Sequence, residues 1–298
     1  SGAISFETNN GSNKINGAHF IGNSAQWGGA VEVYAKPDKR TRVVFDGCLF
    51  EGNYAVDNGG DAAGRGGAIF HECEANIVLL NSTLTGNYSE NNGGAIAVMG
   101  WDDLQIFQTE FVGNHAKSGG AIYTEGASDK FANLYIDECS FDGHYITATY
   151  GTTMNINGIG VFCMNNTSIR NSYNTSKQKA GKASWVAMDV VQEYTSISNC
   201  SIIGNTQYGS DASSLTTMSD AGLIALWGNN HYFTNNIIVP ESDAVVSILG
   251  GGSDKIDLSY NHYNTVSGVE ATDNGGNTTE NTAADFGSLA WTDGCWMW

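Results

Sequence analysis

Proline is nearly missing from this chain, with 2 residues in 298, and stretches with the periodicity of an amphipathic helix are nearly missing too. A chain that avoids proline keeps its backbone N–H groups free to pair, as strands require. No apolar run reaches the roughly 18 residues that would read as a bilayer-spanning helix, so this segment is expected not to insert in a membrane. No charged n-region followed by an apolar h-region opens it. The first residues, Ser1-Gly2-Ala3-Ile4, read as the middle of a phrase that recurs later, which suggests a fragment or a processed segment. Positive charge is also scarce: 13 Lys and Arg stand against 31 Asp and Glu, for a net charge of -18. Such a field repels phosphate backbones and anionic membranes, which excludes nucleic acid as a partner, and disfavours polyuronates unless Ca²⁺ bridges them.

Glycine is abundant at 38 residues, and much of it is ordered. Four phrases, Gly28-Gly29-Ala30-Val31, Gly66-Gly67-Ala68-Ile69, Gly93-Gly94-Ala95-Ile96 and Gly119-Gly120-Ala121-Ile122, alternate with Phe20-Ile21-Gly22-Asn23, Phe50-Glu51-Gly52-Asn53, Leu84-Thr85-Gly86-Asn87 and Phe111-Val112-Gly113-Asn114. From Gly28 to Asn53, Gly66 to Asn87, Gly93 to Asn114 and Gly119 to His144 the spacing is 25, 21, 21 and 25 residues. One arc of the repeat is therefore rigid, while the connection from Asn back to Gly-Gly tolerates insertion. Self-similarity at such a period marks a solenoid, in which each unit buries its apolar face only against its neighbours.

Segments such as Ala121 to Glu125 and Leu134 to Phe141 carry β-branched, aromatic and alternating residues and read as short strands. Strands that recur without a partner between them fit parallel stacking of successive coils. The expected fold is all-β, a right-handed parallel β-helix of roughly nine turns spanning 1–264, about 40 to 45 Å long at one interstrand spacing per turn. Residues 265–298 are expected to form a loop and aromatic cap, with Trp291, Trp296 and Trp298, or to begin a further module. Stacking would align Asn23, Asn53, Asn87, Asn114, Asn205 and Asn236 into one amide ladder, with His144 and Ser172 interrupting it. Cys48, Cys139 and Cys200 share one repeat position, filled elsewhere by Ala18, Ser82, Thr109 and Thr167, and read as small interior residues rather than reactive thiols.

The alternating Gly-Gly-Ala-Ile and Phe-x-x-Asn phrases resemble the polymorphic outer membrane protein repeats of chlamydial surface autotransporters. They are also similar to right-handed β-helix proteins secreted by gut Bacteroidetes. The likeness is strong over residues 2–125 and weaker to about 264. It implies a secreted or cell-surface passenger, often adhesive, on a pectin lyase-like coil. The Asn-Thr-Asp, Gly-His-Gly and Arg-Ile-Lys phrases of polygalacturonases, which share the coil, do not occur.

The residue after the Asn position is Tyr54, Tyr88, His115, Tyr145 and Tyr173 in successive turns, so the rings are expected above one another as a binding stripe for a glycan lying along the rod. Long connections at 55–65, 146–155, 174–184 and 207–221 leave the coil on that side and could wall a groove. Trp101 with Asp102 and Asp103 forms a turn able to meet a sugar or a Ca²⁺ ion, and the sequence points to no other cofactor. His19, His71, His231 and His262 show no metal-ligand spacing. Glu110, Glu138 and Asp142 are the catalytic candidates: on neighbouring strands with outward parity, Glu110 opposite Ser140, they would sit at a separation suited to an inverting glycosidase. Three functions follow. The first is a surface protein that binds a host or dietary glycan, or a cell-surface protein, without catalysis. The others are a polysaccharide-degrading enzyme, hydrolase rather than lyase, and a structural spacer within a larger surface protein.

Overall fold

The computed structural model describes residues 2–7, 11–35, 41–60, 63–73, 75–100, 103–126, 132–148, 151–175, 185–207, 222–228, 230–240, 246–250 and 255–279. Among them there is no helix, and every strand pairing is parallel. The strands form three sheets of eighteen, ten and seven strands, stacked as a parallel β-solenoid. Equivalent residues of successive coils fall into register, as the constant arc length requires. Phe20 pairs with Phe50, Phe50 with Leu84, Leu84 with Phe111, Phe111 with Phe141 and Phe141 with Ile169. These side chains are buried in one continuous core. Their rings stack directly, Phe20 on Phe50 at 4.8 Å and Phe111 on Phe141 at 4.5 Å between centroids.

The turn count differs from the nine expected, because the ten-stranded sheet continues beyond Asn261. The stretch Asp273 to Thr279, expected as a loop, is built into the stack: Glu270–Asp273 pairs with Lys255–Ser259, and Thr278–Thr279 pairs with His262–Tyr263. The tail with Trp291, Trp296 and Trp298 lies outside the described residues.

The eighteen-stranded sheet contains two strand ladders, a first that runs through Ile122–Thr124 and a second that runs through Ala132–Asp137, and they fuse. Ile122–Thr124 and Ala132–Asp137 are separate strands of one coil, yet both pair with the single strand Met154–Asn165 of the next. Trp185–Ser198 is likewise continuous and is followed by the separate strands Gly222–Gly228 and His231–Thr234. Register shifts between Asn157 and Ile159 absorb the bend.

The Gly-Gly phrase has a steric cause. Gly66 has a φ of 68°, in the left-handed region, and a Cβ on Gly67 would stand 2.0 Å from the Gly94 carbonyl oxygen and 2.6 Å from that of Tyr88. At this corner the backbone rests directly on the backbone of the stripe strand, so any side chain would part the two walls.

Two polar ladders, rather than one, run along the corners. In the first, the Asn53 N–H donates to Asn87 Oδ1 at 3.0 Å while Asn53 Nδ2 donates back to the Phe20 carbonyl at 2.9 Å, and Asn87 repeats this with Asn114 and Phe50. His144 continues the ladder instead of interrupting it, because its Nδ1 accepts the Asn114 N–H at 3.1 Å. Ser172 hands its N–H to Asn205 Oδ1 at 3.0 Å. Asn236 does not belong here. Its Oδ1 accepts the Cys200 N–H at 2.9 Å, and its own N–H donates to Asn261, which donates to Asn277. Asn236, Asn261 and Asn277 thus extend the Cys48, Ser82, Thr109, Cys139, Thr167 and Cys200 corner, where Ser82 and Thr167 oxygens accept the N–H groups of Cys48 and Cys139. The three cysteines are buried and free, and burial pushes the Cys139 and Cys200 thiols up to about 12, which keeps them protonated and unreactive.

Candidate functional site

The seven-stranded sheet, made of strands of two residues each, carries the aromatic stripe. Tyr54 pairs with Tyr88, Tyr88 with His115, His115 with Tyr145 and Tyr145 with Tyr173. Ring centroids are separated by 4.9, 4.3, 4.4 and 5.2 Å, with planes within 9 to 17° of parallel. Every interior ring therefore has both faces covered by its neighbours, and the stripe turns ring edges and phenol hydroxyls outward. Burial pushes the Tyr88 and Tyr145 phenols up and the His115 imidazole down, so all are neutral at pH 7.

A polar rim borders the stripe at Tyr54. The Tyr54 hydroxyl donates to Glu90, and this bond, followed by burial, pushes the phenol up to about 12. The same bond, with the Asp57 N–H, holds Glu90 below the usual carboxylate range. Asn91 Nδ2 donates to Asp57 at 2.9 Å, and Lys117 Nζ donates to Asn91 Oδ1 at 2.7 Å. Side chains from three successive coils are thereby tied into one surface. It incorporates the described part of the 55–65 connection, while most of the 174–184 and 207–221 connections lie outside the described residues.

Trp101 and Asp102 also lie outside the described residues. Asp103 accepts a hydrogen bond from Asn133 at 2.8 Å and donates its backbone N–H to Asn76 Oδ1. Among the described residues no group of three or more His, Cys, Asp or Glu side chains could hold a metal ion.

The three catalytic candidates have different surroundings. Glu110 pairs with Ser140 as expected, and Asp142 pairs with Val112 on the same strands. Glu138, however, lies off the strands, in a bend between Asp137 and Ser140, with a φ of 53°. It occupies the corner that holds Gly47, Asn81 and Asn166 in other coils, and it accepts from Gln108 at 2.6 Å. Asp142 is paired with Arg170 through Nε and Nη2 at 3.0 and 2.9 Å and also accepts from Asn171. A carboxylate so occupied is poorly placed to activate water.

Sequence reasoning missed a second cluster, on the outer face of the first ladder. Arg65 reaches along the rod axis to Glu125 at 2.7 Å, passes Met99, and sets its guanidinium 5.8 Å from the Tyr123 ring centroid. Glu72 is half-buried on this face, and its pKa is raised by burial first and by Glu32 next, with Arg65 opposing. Glu32 pairs with Phe70, two residues before Glu72, so the two acidic residues are diagonal neighbours on one face. The available signal was Arg65 itself, a rare cation immediately before Gly66-Gly67.

No family model, no curated protein and no solved structure matches this chain.

Proposed function

We propose that this chain is a β-solenoid surface protein whose outer rows contact a glycan, in the manner of an adhesin, at a secreted or cell-surface location. The observation that supports this reading is the stripe itself. Tyr54, Tyr88, His115, Tyr145 and Tyr173 repeat a polar ring edge at every coil, beside a rim of Asp57, Glu90, Asn91 and Lys117. A polymer lying along the rod would meet a polar ring edge at each step of about 4.8 Å, a phenol hydroxyl at Tyr88, Tyr145 and Tyr173 and an imidazole at His115. The net charge of -18 favours a neutral glycan over a polyanion. The resemblance of the Gly-Gly-Ala-Ile and Phe-x-x-Asn phrases to chlamydial passenger repeats points to the same location.

Retention of the purified chain on immobilised neutral polysaccharides tests the reading, comparing wild type with the Tyr145→Ala, Tyr173→Ala double variant. Truncation of two stripe rings is expected to weaken retention about tenfold, by roughly 1.4 kcal/mol. A wild-type chain that passes every matrix unretained overturns the glycan reading and leaves the protein-adhesin and spacer alternatives, which adherence to a cell-surface protein tells apart.

A second reading, glycoside hydrolysis, is favoured by one observation: Glu72, its carboxyl held up by burial and by Glu32, has the environment of a general acid facing a second carboxylate. Release of reducing ends that disappears in Glu72→Gln and survives in Glu110→Gln would establish it. No product from any neutral polysaccharide would remove it.

A further inference from the structure

Five large apolar side chains are well exposed among the described residues: Ile21, Tyr194, Trp227, Tyr232 and Tyr260. Tyr194 and Tyr232 stand together where the coil is built differently, on the outer face of the second ladder. Tyr194 belongs to the uninterrupted strand Trp185–Ser198, and Tyr232 is in the next coil, paired with Ser196. Their rings are 5.3 Å apart but tilted by 35°, and each residue is 38 % exposed. They form an open wedge, where the stripe forms a closed stack.

The outward row that contains Tyr232 runs in one direction through Ser196 and Cys163 to Tyr135, and in the other to Asp257. Two small side chains thus separate Tyr135 from Tyr232, three coils or about 14 Å away. The result is a notch with an aromatic wall at each end, a floor of serine and cysteine, and a carboxylate beyond Tyr232.

We infer that Tyr194 and Tyr232 are a second glycan contact, which takes the apolar face of a neutral sugar chain seated over Ser196 and Cys163. The inference rests on the glycan-binding reading above, and it places a contact on a different face of the rod. Tyrosine rings offer a sugar both a flat apolar surface and a hydroxyl at its edge. The Ser196 hydroxyl and the Asp257 carboxylate can bond the hydroxyls at the sugar's rim. Asp257 at the site and the net charge of -18 act against uronic acids, sulfated glycans and nucleic acid.

The test is affinity electrophoresis of the full chain in gels containing hydroxyethylcellulose, galactomannan or arabinoxylan, with thermal melts confirming that each variant is folded. Wild type is expected to be retarded by at least one of the three. Tyr194→Ala with Tyr232→Ala should weaken that retardation about tenfold, whereas Tyr194→Phe with Tyr232→Phe, which keeps the rings, should stay within about threefold. Undiminished retardation of the alanine pair, with loss in the Tyr145→Ala, Tyr173→Ala variant, overturns this site and leaves the glycan-binding function standing. Wild-type migration unaffected by all three polysaccharides overturns both.

Discussion

His144 is the residue whose place in the ladder has the clearest consequence. It is fully buried, and its Nδ1 accepts the Asn114 N–H, which only an unprotonated nitrogen can do. Burial drives its pKa from 6.5 to about 4, against the opposing pull of the Asn114 and Phe111 backbone groups. The folded pKa lies below the unfolded one, so the unfolded chain binds the proton more readily. The stability due to the neutral ring is present above about pH 6.5 and is lost as pH falls towards 4, to the extent of about 3 kcal/mol. His144→Asn restores the residue found at this position in the earlier coils and should flatten that dependence. Urea unfolding of both proteins at pH 7 and pH 4.5 measures it. Equal losses of stability in the two would show that carboxylates such as Asp46, Asp57 and Glu90, all held low in the fold, account for the acid sensitivity instead.

Corners decide more than strands at the scale of the element. Gly47 and Gly67 are both glycines, but for different reasons. A Cβ at Gly47 meets nothing within 4 Å, and its φ of 63° is shared at the same corner by Asn81, Asn166 and Asn199 at 48, 45 and 54°. Gly47→Asn is therefore expected to change stability by less than about 0.5 kcal/mol. Gly67→Ala places its methyl on backbone and should cost more than about 3 kcal/mol. A melting curve of Gly67→Ala that overlays the wild type would refute the contact of the two walls. Asn87→Ala tests the amide ladder. It leaves the buried Asn53 N–H without an acceptor, for an expected loss of about 2 to 3 kcal/mol in denaturant unfolding. Ordinary surface behaviour, a change near zero, would mean water replaces the amide.

Across the whole molecule, stability is close to a sum of coil and interface contributions, because the backbone and core of each coil pack against its neighbours, and the Arg65–Glu125 pair reaches one coil further. A large-to-small change in the middle, such as Phe111→Ala, withdraws a ring stacked on Phe141 and is expected to cost about 3 to 5 kcal/mol. The acidic excess is distributed over this rod and opposes compaction by self-repulsion. Raising salt from about 0.01 to 0.15 M shortens the screening length from about 30 to 8 Å and should raise the melting temperature. A fall over that range would show that the pairs Lys14–Asp46, Arg65–Glu125 and Arg170–Asp142 outweigh the repulsion.

The coil itself was legible in the sequence. Repeated Gly-Gly and Gly-Asn phrases at near-constant spacing demand that equivalent residues superimpose, and from that alone came parallel pairing, the stacked Phe20 to Phe141 column and the register of Tyr54 to Tyr173. What only the tertiary structure decided concerns direction and neighbours. Spacing cannot distinguish two corners that both use asparagine, so Asn236 passed for a member of the wrong ladder, and a bend can be filled by any residue able to adopt a left-handed φ, so Glu138 passed for a strand residue. Spacing also says nothing about tilt: stacking closes the ring faces of the stripe, while the fused strands around Trp185–Ser198 leave those of Tyr194 and Tyr232 open. Glu32, Arg65 with Glu72, and Glu125 come from three different coils, and contact between coils exists only once the rod is wound, which is why the repeat could predict the scaffold but not the surface chemistry assembled on it.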